Sequence, residues 1–305
     1  MGDDVLVPDQ LFPTAAERTT LPSSAGTLAA LIAAPTDAAS ARAAEFGELP
    51  SVLLLPGYTG SKEDFSPVLE PLAAAGIRAV AVDQPGQYES PGGDDEAAFR
   101  PAPLGAVAAE LVTALAQDGP VVLLGHSYGG LVARQAVLQG APVAGLVLLC
   151  SGPSAFTSGN RFDALTVGEP ILRSQGAAFL HDARDRAAGL DPDRPDPLAR
   201  FYRKRFLATA TAQLLGAGAA LLDEPDLTEL LAAALRRHGT PAAVIAGEAD
   251  DAWPLAAQRR MAEQLGTSLV LVPGGGHSPA VEAPEALLDV LLPLITDWTE
   301  PDRAA

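Results

Sequence analysis

Side chains of the types that together make a serine reactive stand at the ends of apolar runs in this sequence. Val121-Val122-Leu123-Leu124 leads into Gly125-His126-Ser127-Tyr128-Gly129-Gly130 and then into the helix-like Leu131-Val132-Ala133-Arg134. That order reads as a strand, a sharp turn with Ser127 at its tip, and a helix. Glycines two before and two after Ser127 suit a turn that brings strand and helix so close that side chains there would collide. The tip is expected to hold Ser127 in a strained conformation, with its hydroxyl exposed beside the first N–H groups of the helix. A serine hydroxyl is a poor nucleophile at neutral pH, so an imidazole must take its proton during attack and return it to the leaving group. A buried carboxylate on the far ring nitrogen fixes the tautomer and stabilises the imidazolium. Downstream, Ala243-Val244-Ile245-Ala246-Gly247 runs out into Glu248-Ala249-Asp250-Asp251, and Leu269-Val270-Leu271-Val272 runs out through Pro273-Gly274-Gly275-Gly276 to His277.

In its strand, turn and helix setting, the G-x-S-x-G pentapeptide resembles the nucleophile elbow of the α/β-hydrolase family, in which serine, acid and histidine follow in that order along the chain. The resemblance implies Ser127 as nucleophile, His277 as base and Asp250 as the orienting acid. Asp250 matches the family's G-x-x-D-x-x-x-P pattern through Gly247 and Pro254, and Asp251 is the rival. Ser51-Val52-Leu53-Leu54-Leu55-Pro56-Gly57-Tyr58-Thr59-Gly60-Ser61 is similar to the family's strand and H-G-x-x-G-S oxyanion segment, with Pro56 where histidine is usual. The implied oxyanion donors are the backbone N–H groups of Tyr58 and Tyr128, and losing one such donor costs roughly 3 to 4 kcal/mol of transition-state stabilisation. Ala79-Val80-Ala81-Val82-Asp83-Gln84-Pro85-Gly86-Gln87-Tyr88-Glu89-Ser90 resembles the family's D-x-x-G-x-G-x-S stretch, with Tyr88 at the second glycine. Tyr88 either narrows the substrate pocket or packs on neighbouring loops, and Asp83 is expected to accept from turn amides.

The elements that must position these residues alternate apolar runs with helix-period segments, the pattern of strands joined by crossover helices. Residues 17–34 read as an opening hairpin around Ser23-Ser24-Ala25-Gly26, and 36–49 as a loop. Leu104, Val107, Ala108, Leu111, Val112 and Leu115 recur at helical spacing before the elbow strand. The resemblance covers about residues 17–298 and implies an α/β-hydrolase fold: a mostly parallel, doubly wound sheet with a helical cap inserted after the sixth strand. The core is expected from 1–152 and 241–305, with 153–240 as the cap. Within the insert, Leu198, Phe201, Tyr202, Arg205 and Phe206 fit one helical face, and Leu227, Leu230, Leu231 and Leu235 another. The insert holds Phe156, Phe162, Phe179, Phe201, Tyr202 and Phe206, so Phe156, Phe201 and Phe206, with Tyr88, are candidate pocket residues for an apolar ligand. The alternative is that they pack the cap on the core. Arg200, Arg203, Lys204 and Arg205 form either an ion-paired helix face or a carboxylate-binding patch. Trp253 is expected to cover the acid loop.

Composition bounds the rest. Of 305 residues, 38 are acidic and 20 basic, and the net charge of −18 repels phosphate backbones and anionic bilayers, so neither nucleic acid nor membrane is an expected partner. The start, Met1-Gly2-Asp3-Asp4-Val5, lacks a basic and then apolar layout, and a cytoplasmic location is expected. The single Cys150, closing an apolar run, reads as a small buried hydrophobe. His126, His181, His238 and His277 show no paired spacing, so no metal is expected. His126 reads as a residue beside the nucleophile rather than the base, because strand neighbours point to opposite faces. The expected activity is a cofactor-free serine hydrolase acting on an ester, thioester or lactone of a small to medium apolar molecule through an acyl-enzyme. The alternatives are a lyase, cyclase or acyltransferase using the same triad, and a ligand-binding protein that kept the fold.

Overall fold

Runs such as Val52-Leu53-Leu54-Leu55 are apolar without alternation, which suits strands covered on both faces and hence a parallel sheet between helical layers. The computed structural model describes residues 11–35, 49–193 and 196–300, and in it these runs form one eight-stranded sheet. The strands are β1 Glu17–Ser23, β2 Gly26–Ala33, β3 Ser51–Leu55, β4 Arg78–Val82, β5 Val121–His126, β6 Gly145–Leu149, β7 Ala242–Gly247 and β8 Leu269–Val272. Their spatial order is β1-β2-β4-β3-β5-β6-β7-β8; β2 runs antiparallel to β1 and β4, and the pairs from β4 to β8 are parallel. The opening hairpin forms as expected, with Ser23 paired to Gly26 at its turn. The expected loop over 36–49 falls, but for Leu49, outside the described residues, as does the segment Met1–Val5.

The helices are α1 Ser66–Ala74, α2 Pro101–Leu115, α3 Tyr128–Leu138, α4 Asn160–Ala187, α5 Pro197–Ala208, α6 Thr211–Asp223, α7 Thr228–His238, α8 Leu255–Gln264, α9 Pro279–Glu282 and α10 Pro284–Thr299. Alternate strand residues divide between two cores, as the two-residue period of a strand requires. Leu53 and Leu123 pack with Leu104, Leu111, Leu131 and Val132 of α2 and α3 on one face. Val52 and Leu54 pack with Leu69 and Leu72 of α1 and Leu287 and Leu291 of α10 on the other. Burying each such leucine contributes about 1.5 to 3 kcal/mol.

Between β6 and β7 the chain leaves the sheet for α4 to α7. The 28-residue α4 is broken at Gly176, whose φ of 82° and ψ of 173° lie outside the helical region, so two helical stretches meet at an angle there. A helix forms where the leucines pointed to α7, but of the expected face Leu230 is exposed and Leu227 precedes the helix, while Leu231 and Leu235 belong to the core on the α3 side of the sheet. Thus α7 packs as a crossover helix of the core. Leu165 of α4 and Ala217 and Leu221 of α6 join the same core.

The elbow shows why glycine stands on either side of Ser127. A Cβ on Gly125 would lie 2.2 Å from the Gly129 carbonyl oxygen, and one on Gly129 would lie 2.4 Å from the carbonyl oxygen of Leu55 and 2.6 Å from that of Pro56. These are backbone atoms, which cannot swing away as a side chain can. Gly93 has open space around it. Gly129→Ala is therefore expected to lower the unfolding free energy by about 1 to 3 kcal/mol, the scale of overpacking in a tight core, while Gly93→Ala changes it little. Equal urea-denaturation midpoints for the two variants would refute the close-approach account.

Candidate active site

Ser127 sits between the last residue of β5 and the first of α3 with φ 53° and ψ −119°, a conformation that side chains rarely adopt. Its N–H donates to the Leu149 carbonyl at 2.8 Å, and its own carbonyl accepts from Gly130 N at 2.9 Å, so both neighbours hold the strained turn. The hydroxyl oxygen lies 3.0 Å from His277 Nε2, and His277 Nδ1 lies 2.7 Å from Asp250 Oδ1. A carboxylate only accepts, so Nδ1 carries the proton and Nε2 is left to accept from the serine hydroxyl. The three residues named from the sequence thus meet from three strand ends.

Asp250 is buried, and its oxygens also accept from Ala252 N at 3.0 Å and Gln258 Nε2 at 2.7 Å. Burial works against its charge, but the hydrogen bond from His277, the nearness of that ring and the bonds from Ala252 and Gln258 outweigh it and hold the carboxyl below the usual carboxylate range. The rival Asp251 is exposed and pairs with Arg161 at 2.6 Å. Trp253 does cover this loop: it is buried, its Nε1 donates to the Ser154 carbonyl at 2.9 Å, and its ring stacks with Phe156 at 4.4 Å.

The segment after β3 is anchored through its carbonyls. Gln84 Nε2 donates to Pro56 O at 2.9 Å and Gln87 Nε2 to Gly57 O at 2.7 Å. The carbonyls being held this way, neither the Tyr58 nor the Tyr128 N–H donates to any described residue, and Tyr58 and Ser127 line one cavity. Gln84 and Gln87 were not singled out from the sequence, although they stand in the stretch compared with D-x-x-G-x-G-x-S. Asp83, in the same stretch, does more than bond turn amides. It takes Lys62 Nζ at 2.8 Å beside the backbone N–H groups of Lys62 and Glu89, and burial raises its pKa to about 7. The buried Lys62 carried no signal in the sequence beyond its place after Ser61.

His126 is packed, as expected of a residue that is not the base, but it does not point away from the site. The reversed φ at Ser127 breaks the strand alternation, so the His126 ring lies 5.0 Å from that of His277 and its Nε2 donates to the His277 carbonyl at 2.7 Å. Histidines with no paired spacing in sequence are thereby brought together, and the donor atoms of His126, Cys150 and His277, like those of Asp250, Asp251 and His277, fall within 4.8 Å of one another. Both His277 nitrogens and His126 Nε2 are engaged in the hydrogen bonds just given. Burial pushes the Cys150 thiol up, which keeps it neutral.

A cavity of about 400 Å³ opens over Ser127 and His277, walled by Tyr58, Phe156, Leu165 and Leu221 but also by Arg161, Arg184, Arg205, Asp64 and Glu282. Of the four aromatic residues expected in the pocket, Phe156 is there. Tyr88 and Phe201 are not: both are buried against each other at 5.9 Å in an edge-on pair beneath α5. Phe206 lines a neighbouring cavity. The physical reason is that Phe201 of α5 turns onto Tyr88 in the loop after β4, while Phe206 packs with Leu172, Leu180 and Leu214, so these rings bury one another and their neighbours. The Arg200–Arg205 cluster is ion-paired as one of its two readings held, with Arg203 on Asp182 and Arg205 on Asp64, yet Arg205 is buried and reaches the cavity wall.

Burial, and then the nearby His277, lower the pKa of His126 to about 4 from an ordinary 6.5. The folded state keeps the ring neutral where the unfolded chain would protonate it, so this contribution is whole above about pH 6.5 and is lost as pH falls toward 4. Between pH 7.5 and 5, the wild type should lose about 2 kcal/mol more unfolding free energy than His126→Gln. Urea denaturation at the two pH values measures this, and equal losses would refute it.

The alpha/beta hydrolase family model matches residues 52–290. A pimeloyl-[acyl-carrier protein] methyl ester esterase of Xanthomonas oryzae pv. oryzae is 30% identical over 243 residues, 76% of this chain and 90% of that protein. A thermophilic esterase from Thermogutta terrifontis superposes with a TM-score of 0.69 at 21% identity, covering 93% of this chain and all of that one. The N-acyl homoserine lactonase AidH does so with 0.68 at 20% identity over 93% and 98% of the two chains. The structural likenesses are of fold. With the family match over most of the chain and its motifs in their expected elements, the protein belongs to the alpha/beta hydrolase family.

Proposed function

We propose that the protein is a serine hydrolase that cleaves a carboxylic ester or lactone through an acyl-enzyme. The observation that carries this reading is the unbroken hydrogen-bonded line from Ser127 Oγ to His277 to Asp250 at the floor of a cavity. In the proposed mechanism Ser127 Oγ attacks the scissile carbonyl as its proton passes to His277 Nε2. The tetrahedral oxyanion takes hydrogen bonds from the Tyr58 and Tyr128 N–H groups. The imidazolium, stabilised by Asp250, gives the proton to the departing alkoxide, leaving Ser127 acylated. Water then attacks the acyl carbon with His277 again as base, and acid and free enzyme result. No step calls for a cofactor.

The relatives support the bond type, since one is named for a methyl ester and another for a lactone. We take α4 to α6 as a cap over the site because Leu165 of α4 and Leu221 of α6 wall the cavity that holds Ser127. An apolar portion of the substrate has a place in an adjoining cavity of about 390 Å³ lined by Leu172, Leu180, Leu214 and Leu215, which shares Tyr58 and Leu165 with the first.

A fluorophosphonate probe should label Ser127, and Ser127→Ala should abolish labelling. Asp250→Asn should lower kcat by about three to four orders of magnitude through the wrong imidazole tautomer, while Asp251→Asn stays within a few-fold. Labelling that persists in Ser127→Ala, or the larger loss in Asp251→Asn, would overturn the assignment of roles.

A further inference from the structure

Arg184 lies on the second stretch of α4, beyond the break at Gly176, and lines three cavities at once: the one over Ser127, the leucine-walled one beside it, and a third of about 430 Å³ toward Phe206. It differs from the other arginines of the site in its partners. Arg161 is held by Asp251 and Arg205 by Asp64, each at 2.6 Å. Glu282, on the same wall, accepts from the backbone N–H groups of Gly276 and Ser278. Among the described residues, the Arg184 side chain makes no hydrogen bond or ion pair; its guanidinium lies over the Phe206 ring at 5.3 Å, a contact that positions the charge without neutralising it. A half-buried guanidinium on a cavity wall with its donors unmatched is suited to an anion, and a planar carboxylate can take two of the donors at once. With Asp64 and Glu282 on the same wall, a singly charged group fits better than a dianion such as a phosphate monoester.

We propose that Arg184 is a substrate-binding residue that takes a carboxylate carried on the substrate away from the scissile bond, so that the preferred substrates are carboxylate-bearing esters such as half-esters of dicarboxylic acids. The inference rests on the ester-hydrolase reading and names the substrate class of that same site. The apolar linker between ester and carboxylate has the leucine-walled cavity beside it, and Arg184 stands where the cavities meet. An arginine in the last turn of a helix also interacts favourably with the helix dipole, but that role is open equally to Arg186, which is exposed.

The test measures binding to Ser127→Ala by calorimetry, which requires no turnover. The ligands are the monomethyl esters of glutarate, adipate and suberate, each against its uncharged dimethyl ester. At least one half-ester should bind about tenfold more tightly than its diester, the scale of one charge-assisted hydrogen-bonding contact. Arg184→Met in the same background should bring the ratio to near one, and Arg184→Lys should keep part of it. The melting temperature of each variant is checked first so that loss of fold is not read as loss of binding. Equal affinity for charged and uncharged esters, no measurable binding of either, or a preference that survives Arg184→Met would overturn the proposal. A wild type that binds the half-ester with this preference yet cleaves no ester would instead remove the hydrolase reading and leave the carboxylate site standing.

Discussion

The structure is built around a collision that has to be avoided at one turn. Strand β5 must hand over to α3 within the single residue Ser127, whose positive φ reverses the chain, and this brings the Gly129 Cα against the carbonyls of Leu55 and Pro56. Such a conformation costs of order 1 to 3 kcal/mol and persists only where its surroundings over-determine it. Here they do. The flanking residues pair in the middle of the sheet, β5 lying between β3 and β6, and the Ser127 N–H is taken by Leu149. The same compression that strains Ser127 sets the Pro56–Tyr58 loop directly beside it, so the geometry of Ser127 and that of the loop are one constraint.

That constraint explains how much could be read in the sequence. The elbow depends on backbone sterics, and sterics of this kind leave glycine as a visible mark at Gly125 and Gly129. The partners Asp250 and His277 were legible because each follows an apolar run that ends at the same edge of a parallel sheet. What sequence did not reveal is which group a side-chain amide meets in space. Gln84 and Gln87 hold the loop after β3, and Gln258 supports Asp250, through bonds whose only requirement is an amide at the right place in space. Glutamine is ordinary in loops and helices, so its type gives no warning. The candidate pocket aromatics misled for the related reason that burial and pocket lining demand the same side chains. Tyr88 and Phe201 satisfy burial, and only Phe156 meets the cavity over Ser127.

The segment from Pro153 to Pro225, which carries α4 to α6, is tied at its two ends by one buried cation. Arg134 of α3 donates to the carbonyls of Pro153 and Pro225 and pairs with Glu224 at 2.9 Å, with both partners nearly out of solvent. A buried pair of this kind adds little net stability compared with apolar packing, yet removal of either partner leaves a buried charge uncompensated. Its consequence is therefore positional: the chain leaves the core near Pro153 and returns near Pro225 at one point on the elbow helix. The placement of α4 to α6 and that of Ser127 then share an anchor.

The charge of the chain bears on how an anionic substrate could reach such a site. A net charge of −18 repels anions at long range, opposite in sign to the pull of the three arginines on the cavity wall. At about 0.15 M ionic strength, however, charges more than about 8 Å away through solvent are largely screened. Within a partly enclosed cavity the local groups dominate, because the low-dielectric walls weaken their fields far less than water does. Arg161 and Arg205 are matched by Asp251 and Asp64, while Arg184, which shares the wall with Glu282, has no carboxylate partner among the described residues. Selection at this site therefore depends on one guanidinium and on how much water a bound molecule displaces from it, and the acidic surface governs encounter at low salt far more than recognition once the substrate is inside.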